Sequence, residues 1–141
     1  MTHNPPRILV AEDNPALANV IRFNLERAGC SVTLIRDGAE AARRIDEERF
    51  DLVVTDLQMP GLDGEQLCRH IRSQPDYCDI PIIVCSAKGL EVDMNRLLLE
   101  YGISHILFKP FSPVELVNIC ASTVRNAAIV SDEQRLVESP G

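Results

Sequence analysis

The sequence contains no long apolar run, no run of basic residues and no CxxC pair. No apolar stretch approaches the ~18 residues that a membrane span needs. Residues 1–7 are polar, include two prolines and lack the hydrophobic stretch of a signal peptide. A formal net charge of −7 disfavours binding to nucleic acid or to an anionic membrane. We therefore expect neither direct nucleic-acid binding nor membrane insertion.

The five cysteines are an odd number without the spacing of metal ligands. This pattern disfavours a secreted disulfide framework and a zinc ribbon. We interpret the cysteines as reduced thiols and expect a cytoplasmic protein. The composition, 45% hydrophobic and 25% charged, is typical of a globular protein, and 141 residues suit one domain.

Short apolar runs alternate along the chain with segments of helical periodicity. The predicted strands are 8–11, 32–35, 52–56, 81–85 and 105–108. Strands that are apolar throughout are typical of a parallel sheet covered on both faces. Because crossovers between parallel strands are right-handed, the pattern predicts a doubly wound α/β fold of five strands and five helices.

The chain shows no internal repeat and no linker between folded parts. We predict an N-terminal extension over residues 1–6, one folded domain over 7–125 and a polar C-terminal tail over 126–141. Ser131 and Gln134 form a weak capping-box pattern, sufficient for a further turn of helix in the tail. The tail is too short for a second domain.

Chemically active side chains lie at the carboxyl ends of four predicted strands. They are Glu12 and Asp13 after the first strand, Asp56 at the end of the third, Ser86 after the fourth and Lys109 after the fifth. Ligands of open α/β sheets bind beyond these ends, where the strand order reverses. One acidic residue after a strand is usually a solvated turn residue, but this joint placement favours a site.

The acidic members of this group favour a divalent cation. Crowded carboxylates repel one another unless a cation joins them. The donors are hard oxygens without Cys or His, so Mg²⁺ fits better than zinc. An aspartate nucleophile with a metal on the phosphoryl oxygens indicates phosphoryl transfer. Arg36 and Asp37, after the second strand, are left out because an edge strand lies away from the reversal point.

Four segments at these strand ends resemble the receiver domain of two-component response regulators. They are ILVAEDN at 8–14, VTDLQMPGLDG at 54–64, PIIVCSA at 81–87 and FKPF at 108–111. The resemblance covers residues 7–124 and points to a stand-alone receiver of the chemotaxis-regulator type. It implies a flavodoxin-like, three-layer (βα)5 sandwich with strand order 2-1-3-4-5.

The resemblance assigns a role to each residue of the phosphorylation site. Asp56 matches the aspartate that accepts a phosphoryl group from a kinase histidine. Glu12 and Asp13 match the acidic pair that holds Mg²⁺, together with Asp56 and the backbone carbonyl of Gln58. Lys109 matches the ammonium that pairs first with Asp56 and later with a phosphoryl oxygen.

The resemblance also indicates how the domain switches. Ser86 matches the hydroxyl that bonds the new phosphoryl group, and the family implies a cis bond between Lys109 and Pro110. Ile106 stands where many receivers carry Tyr or Phe, whose ring turns inward after phosphorylation. We therefore expect helix four, strand five and helix five to form the output surface, with helix four moving without an aromatic gate.

These matches imply a phosphorylation-controlled module of a bacterial two-component system, not an enzyme that turns over an external substrate. Autodephosphorylation would be its own reaction, and Gln58 and Lys88 flank the entry of the attacking water. The implied partners are a sensor histidine kinase or histidine phosphotransfer protein upstream and an effector protein downstream. A phosphorylation-dependent homodimer is an open alternative.

Three other functions compete with this interpretation. A pseudo-receiver would bind a partner without being phosphorylated. A Mg²⁺-dependent phosphohydrolase with an aspartyl-phosphate intermediate commonly has a second Asp where this chain has Gln58. A flavodoxin-type carrier needs a phosphate-binding loop after the first strand, and the acidic segment there would repel phosphate.

Overall fold

The computed structural model describes residues 4–77, 79–87 and 94–138; of residues 77 and 126–138 only the backbone is described. Five parallel strands form one sheet in the order β2-β1-β3-β4-β5. They are β1 Arg7–Ala11, β2 Ser31–Ile35, β3 Leu52–Asp56, β4 Ile82–Ala87 and β5 His105–Lys109. The predicted doubly wound fold and its strand order are confirmed.

Helices follow the strands along the chain and cover both faces of the sheet. They are α1 Pro15–Arg27, α2 Gly38–Glu47, α3 Gly64–Ser73, a 3₁₀ turn at Pro75–Tyr77, α4 Met94–Tyr101 and α5 Pro113–Glu138. Leu90, which the sequence assigns to helix four, lies outside the described residues. Among the helices described, none is both long and apolar enough to cross a membrane.

The fifth helix is longer than the sequence predicts. The periodic apolar residues end at Val124, whereas the backbone stays helical to Glu138. Most of the predicted polar tail is therefore an extension of α5, well beyond the single turn expected from its capping pattern. The boundary between folded domain and tail stays a prediction.

Alternate residues of each central strand contribute to two separate cores. Ile8 and Val10 point to the side covered by α1 and α5. Leu9 and Ala11 point to the other side, which α2, α3 and α4 cover. All four are essentially inaccessible to solvent. The strands are apolar throughout because both faces of the sheet are buried.

Local signals in the sequence set the ends of α1 and α3. The Asn14 side chain accepts a hydrogen bond from the Leu17 N–H at 3.1 Å, as predicted for the start of α1. Gly29 follows the helix with a φ of 98°, a conformation that favours glycine. At α3, Asp63 and Gln66 form a reciprocal capping box.

The segment SPVE at 112–115 predicts a capping box with proline at the first helical position of α5, and the structure differs from it in detail. The Ser112 hydroxyl accepts a hydrogen bond from the Val114 N–H at 3.2 Å, one position earlier than the Glu115 N–H of a capping box. The hydroxyl still satisfies one free donor in the first turn of the helix.

Two predicted apolar faces are rotated from their expected positions. Helical spacing from Leu17 to Ala28 predicts that Val20 lies on the buried face of α1. Val20 is instead 41% exposed, and the buried stripe passes through Ala18, Ile21 and Leu25. Val20 precedes Ile21 by one residue and therefore lies about 100° around the helix from it. Leu98, one residue after the buried Leu97, is half-exposed for the same reason.

An ionic cluster attaches α4 to α3. The Arg96 guanidinium lies 2.7 Å from Glu65 Oε1. The Tyr101 hydroxyl donates to Glu65 Oε2 at 3.0 Å. The hydrogen bond from Arg96, opposed by burial and assisted by Tyr101, holds the pKa of Glu65 below its ordinary value. Ionised Glu65 therefore stabilises the contact between the two helices.

We expect Glu65→Gln to remove part of the acid sensitivity of folding. Because the pKa of Glu65 is lowered on folding, its contribution is fully present above the unfolded pKa near 4.5 and is lost as the pH falls through the folded pKa. We expect the free energy of unfolding of the wild type to fall by about 0.5–1 kcal/mol more than that of the variant between neutral pH and pH 3. Urea unfolding curves at the two pH values measure this difference. Equal losses would contradict this assignment.

Candidate functional site

The four strand ends identified in the sequence meet at one edge of the sheet. Asp56 is the last residue of β3 and lies opposite Cys85 on β4. Ser86 lies opposite Phe108 on β5, one position before Lys109. Ser86 is inside β4, which extends to Ala87, whereas the sequence placed it just after the strand. Along this register Ser86 lies one residue beyond the level of Asp56, and Lys109 lies two residues beyond it. The parallel strands thus bring the candidate side chains to the same end of the sheet.

Lys109 bridges two buried carboxylates. Its Nζ lies 2.9 Å from Glu12 Oε1 and 2.9 Å from Asp56 Oδ2. Glu12 is 2% exposed and Asp56 is 7% exposed. The Asn14 N–H also donates to Glu12 Oε2 at 3.1 Å. These contacts fix the Glu12 carboxylate and one oxygen of Asp56.

The protonation of Lys109 and Glu12 follows from this arrangement. Burial favours the neutral amine of Lys109, but the hydrogen bonds to Glu12 and Asp56 outweigh it, so the pKa of Lys109 is raised. Burial also raises the pKa of Glu12. The hydrogen bond from Lys109 lowers that pKa, and the repulsion from Asp56 adds to the rise. The ammonium is therefore retained, and the carboxylates around it carry a cost that a further cation would relieve.

Glu12, Asp13 and Asp56 form an acidic cluster. One carboxylate oxygen from each lies within 4.8 Å of the other two, with Glu12 and Asp56 buried and Asp13 exposed. When all three are ionised, the single ammonium of Lys109 leaves an excess of two negative charges. This excess of two negative charges matches the charge of Mg²⁺, and the donors are the hard oxygens that the ion prefers. The exposed side of the cluster leaves room for the water ligands that Mg²⁺ keeps.

Ser86 contributes an unsatisfied hydroxyl. The residue is fully buried, and its Oγ has no hydrogen-bond partner among the residues that the structure describes. An unpaired buried polar group costs about 1–3 kcal/mol. A new acceptor placed near Asp56 would relieve that cost, so the hydroxyl is suited to respond to a change at this site.

The other predicted site residues have simpler surroundings. Gln58 is exposed on the loop after Asp56, between β3 and α3. The cis bond between Lys109 and Pro110 is confirmed. Ile106 is partly buried against the core that faces α2, α3 and α4. Lys88 lies outside the described residues.

The corner between β2 and α2, residues 36–38, contacts the loop of residues 57–63 that contains Gln58. The sequence pattern alone left this corner outside the site. The Gly38 N–H donates to the Pro60 carbonyl at 3.2 Å. The Asp37 carboxylate lies beside Gly61. The Asp-Gly pair indicated only a turn, because nothing in a single sequence shows which distant loop such a turn contacts.

Comparison with known proteins adds independent evidence. The profile of the response regulator receiver domain matches residues 8–121. The chain is 38% identical over 122 residues to the phosphate regulon transcriptional regulatory protein PhoB of Rhizobium meliloti, covering 86% of this chain and 53% of that protein. It is 38% identical over 139 residues to the transcriptional regulatory protein BaeR of Escherichia coli, covering 97% of this chain and 56% of that protein. The chain thus spans about half the length of these curated relatives.

A solved structure shares both the fold and the type of site. It is the receiver domain of the sensor histidine kinase PA1611 from Pseudomonas aeruginosa, with a magnesium ion coordinated in its active site cleft. The TM-score is 0.76 at 36% identity, covering 85% of this chain and 98% of that one. Receiver domains are signalling modules of two-component systems rather than turnover enzymes. From the profile match over most of its length, the chain belongs to the response regulator receiver domain family.

Proposed function

We propose that this chain accepts a phosphoryl group on Asp56 from a phosphohistidine of a sensor kinase or histidine phosphotransfer protein. The observation that carries the proposal is the buried Asp56 carboxylate, held by Lys109 at 2.9 Å inside a three-carboxylate cluster. A buried ion pair with the Lys109 ammonium would need only one carboxylate. The two additional carboxylates make sense if a divalent cation joins them.

The transfer uses Asp56 as a nucleophile. Lys109 holds Oδ2, which leaves Oδ1 to attack phosphorus. The new bond joins Oδ1 to phosphorus while the bond from phosphorus to the donor histidine nitrogen breaks and its electron pair returns to the imidazole. Strand β3 is buried along its whole length and fixes the backbone of the nucleophile. Positioning of this kind is the main contribution of a protein to phosphoryl transfer.

Glu12, Asp13, Asp56 and the Gln58 backbone carbonyl would hold Mg²⁺. The ion supplies charge neutralisation on the phosphoryl oxygens and so lowers the repulsion between donor and acceptor. Asp13 is the exposed member of the cluster, so the site is open to solvent on that side. The buried Glu12 is already engaged by Lys109 and by the Asn14 N–H.

Ser86 and Lys109 detect the product. Phosphorylation replaces one negative charge on Asp56 by nearly two and adds acceptor oxygens. The Ser86 hydroxyl, which has no partner within the described part of the chain, donates to one of these oxygens, and the Lys109 ammonium pairs with another. Both residues lie on strands that lead into the surface formed by α4, β5 and α5, so their movement reaches that surface.

The α4–β5–α5 surface is the proposed binding site for a downstream effector protein. It exposes apolar side chains from all three elements: Leu98 at 36%, Leu99 at 87%, Phe108 at 46% and Val114 at 61%. Large apolar side chains exposed to solvent favour protein contact where they form a patch. A phosphorylation-dependent homodimer through this surface would show as a doubled molar mass in light scattering with a phosphoryl mimic present.

We expect helix α4 to move on activation although Ile106 cannot act as an aromatic gate. Ile106 packs against the core beneath α4, and the ring on β5, Phe108, is on the surface. A structure with Mg²⁺ and beryllofluoride should show α4 displaced from its position beside α3. Asp56→Asn, treated identically, is the control. An unchanged α4 in the wild-type complex would contradict this switch.

Intact mass separates a receiver from a pseudo-receiver. The wild type is incubated with acetyl phosphate, with Mg²⁺ or with a chelator. The proposal predicts a phosphoryl adduct that requires Mg²⁺. No adduct on a folded protein that binds Mg²⁺ would favour a module that acts without phosphorylation, and partner searches would then use the unmodified α4–β5–α5 surface.

The cellular setting is also a proposal. We propose the cytoplasm of a bacterium, where a receiver meets its kinase. Within the described residues Cys30, Cys68, Cys85 and Cys120 are free thiols, and burial raises the pKa of Cys68 and of Cys120 to about 12.

Both curated relatives described above are transcriptional regulatory proteins that extend beyond the matched region. Stand-alone action of this chain therefore stays a prediction.

A further inference from the structure

The first residue of α2 is in unusually close contact with the loop after Asp56. Gly38 is buried, and its N–H donates to the Pro60 carbonyl at 3.2 Å. A Cβ added to Gly38 would lie 1.7 Å from the carbonyl oxygen of Leu62 and 2.6 Å from its carbonyl carbon. Because the obstructing atoms belong to backbone, no side-chain rotation could relieve the overlap. The loop and the helix therefore need glycine at position 38.

The same corner meets the loop at a second point. Gly61 has a φ of 81°, and a Cβ there would lie 2.8 Å from Asp37 Oδ1. The Asp37 carboxylate is itself fixed, since Oδ1 accepts hydrogen bonds from Ala39 N–H at 2.8 Å and from Glu40 N–H at 3.1 Å. The loop therefore packs against the N-terminus of α2, which the Asp37 side chain caps.

The two ends of the loop are also fixed, and they adjoin the phosphorylation site. The Leu57 N–H donates to the Cys85 carbonyl at 2.8 Å, and the Gly64 N–H donates to the Leu57 carbonyl at 2.8 Å. A Cβ on Gly64 would lie 2.4 Å from the Asp56 carbonyl oxygen. Gln58 lies between the attached Leu57 and the corner contact at Pro60, so the backbone is held on both sides of it.

We propose that Gly38, with Asp37, is a positioning residue of the metal site. It acts through the loop by holding the segment 58–62 in the conformation that presents the Gln58 carbonyl. This inference rests on the proposed role of that carbonyl as a metal ligand. Helix propensity alone would favour alanine over glycine inside α2, so the requirement for glycine arises from the loop contact.

The test is Gly38→Ala with Gly29→Ala as the matched control. Gly29 has a φ of 98°, and a Cβ there meets nothing within 4 Å, so that change strains the backbone without touching the loop. Calorimetric titration with Mg²⁺ should show about tenfold weaker binding for Gly38→Ala, as is common for groups that support metal ligands. Gly29→Ala should bind within about twofold of the wild type.

A second measurement needs no metal. Amide chemical shifts of residues 58–62 in the metal-free protein should move in Gly38→Ala and stay in place in Gly29→Ala. Folded Gly38→Ala with wild-type Mg²⁺ affinity and unshifted loop amides would overturn the proposal.

A variant pair at position 37 keeps the proposal testable if Gly38→Ala does not fold. Asp37→Asn retains the shape of the cap, whereas Asp37→Ala removes it, and both remove the charge. The proposal expects weaker Mg²⁺ binding in Asp37→Ala than in Asp37→Asn, and equal binding overturns it. A wild type that binds no Mg²⁺ would overturn the metal site itself, a result distinct from failure of the positioning role alone.

Discussion

Asp56→Asn is expected to abolish phosphoryl adduct formation completely. The amide oxygen of Asn can still accept the hydrogen bond from Lys109 that Asp56 Oδ2 accepts at 2.9 Å, so the fold should persist. The amide is not a nucleophile towards phosphorus, and the variant therefore loses the reaction rather than the structure. Intact mass after incubation with Mg²⁺ and acetyl phosphate is the measurement, with circular dichroism to verify folding.

Asp13→Asn is the matched control for this loss. It also removes one carboxylate of the cluster, but from the exposed position and without removing the proposed acceptor. We expect an adduct that forms more slowly and needs more Mg²⁺. An adduct of wild-type yield on Asp56→Asn would show that another residue is the acceptor.

Lys109→Ala is expected to separate metal binding from phosphoryl transfer. The ammonium lies 2.9 Å from both Glu12 and Asp56 and offsets part of the charge of the cluster. Without it the three carboxylates attract Mg²⁺ more strongly, by about tenfold or more, because a unit and a divalent positive charge about 6 Å apart repel by about 1.4 kcal/mol even in a water-like dielectric. Transfer should nevertheless slow by about 10²-fold or more, because a charged donor to the transferring group is lost.

Calorimetry and the time course of adduct formation measure these two effects. Lys109→Arg keeps the charge with a different shape, and we expect its Mg²⁺ affinity to stay near that of the wild type. Weaker Mg²⁺ binding in Lys109→Ala would contradict the proposed opposition between the ammonium and the metal. Unchanged transfer would remove Lys109 from the mechanism.

The grouping of the candidate side chains was predictable from the sequence because it depends on strand geometry. Parallel strands carry their carboxyl ends to one edge, so residues that follow separate apolar runs, such as Glu12, Asp56 and Lys109, meet there. The start of α1 was equally predictable, since Asn14 caps the helix through its own neighbour Leu17. In both cases the interactions that determine the structure are local or follow from the regular spacing of the parallel sheet.

Other features depend on packing between distant segments. The ionic contact of Glu65 with Arg96 joins residues 31 positions apart, and neither residue type is unusual on a helix surface. Gly38 likewise resembles an ordinary turn glycine until the loop at Leu62 is placed against it. The exposure of Val20 depends on how α1 rotates over the sheet. Periodicity alone fixes that rotation only to within about one residue.

The position of the phosphoryl group distinguishes Asp56 from every other acceptor. The wild type is phosphorylated with Mg²⁺ and acetyl phosphate, reduced with borohydride, which converts an aspartyl phosphate to homoserine, and then mapped by peptide mass spectrometry. If Asp56 is the acceptor, homoserine appears at position 56 and nowhere else. Reduction at Asp13 or Glu12, or a phosphoryl group stable to borohydride on another side chain, would contradict it.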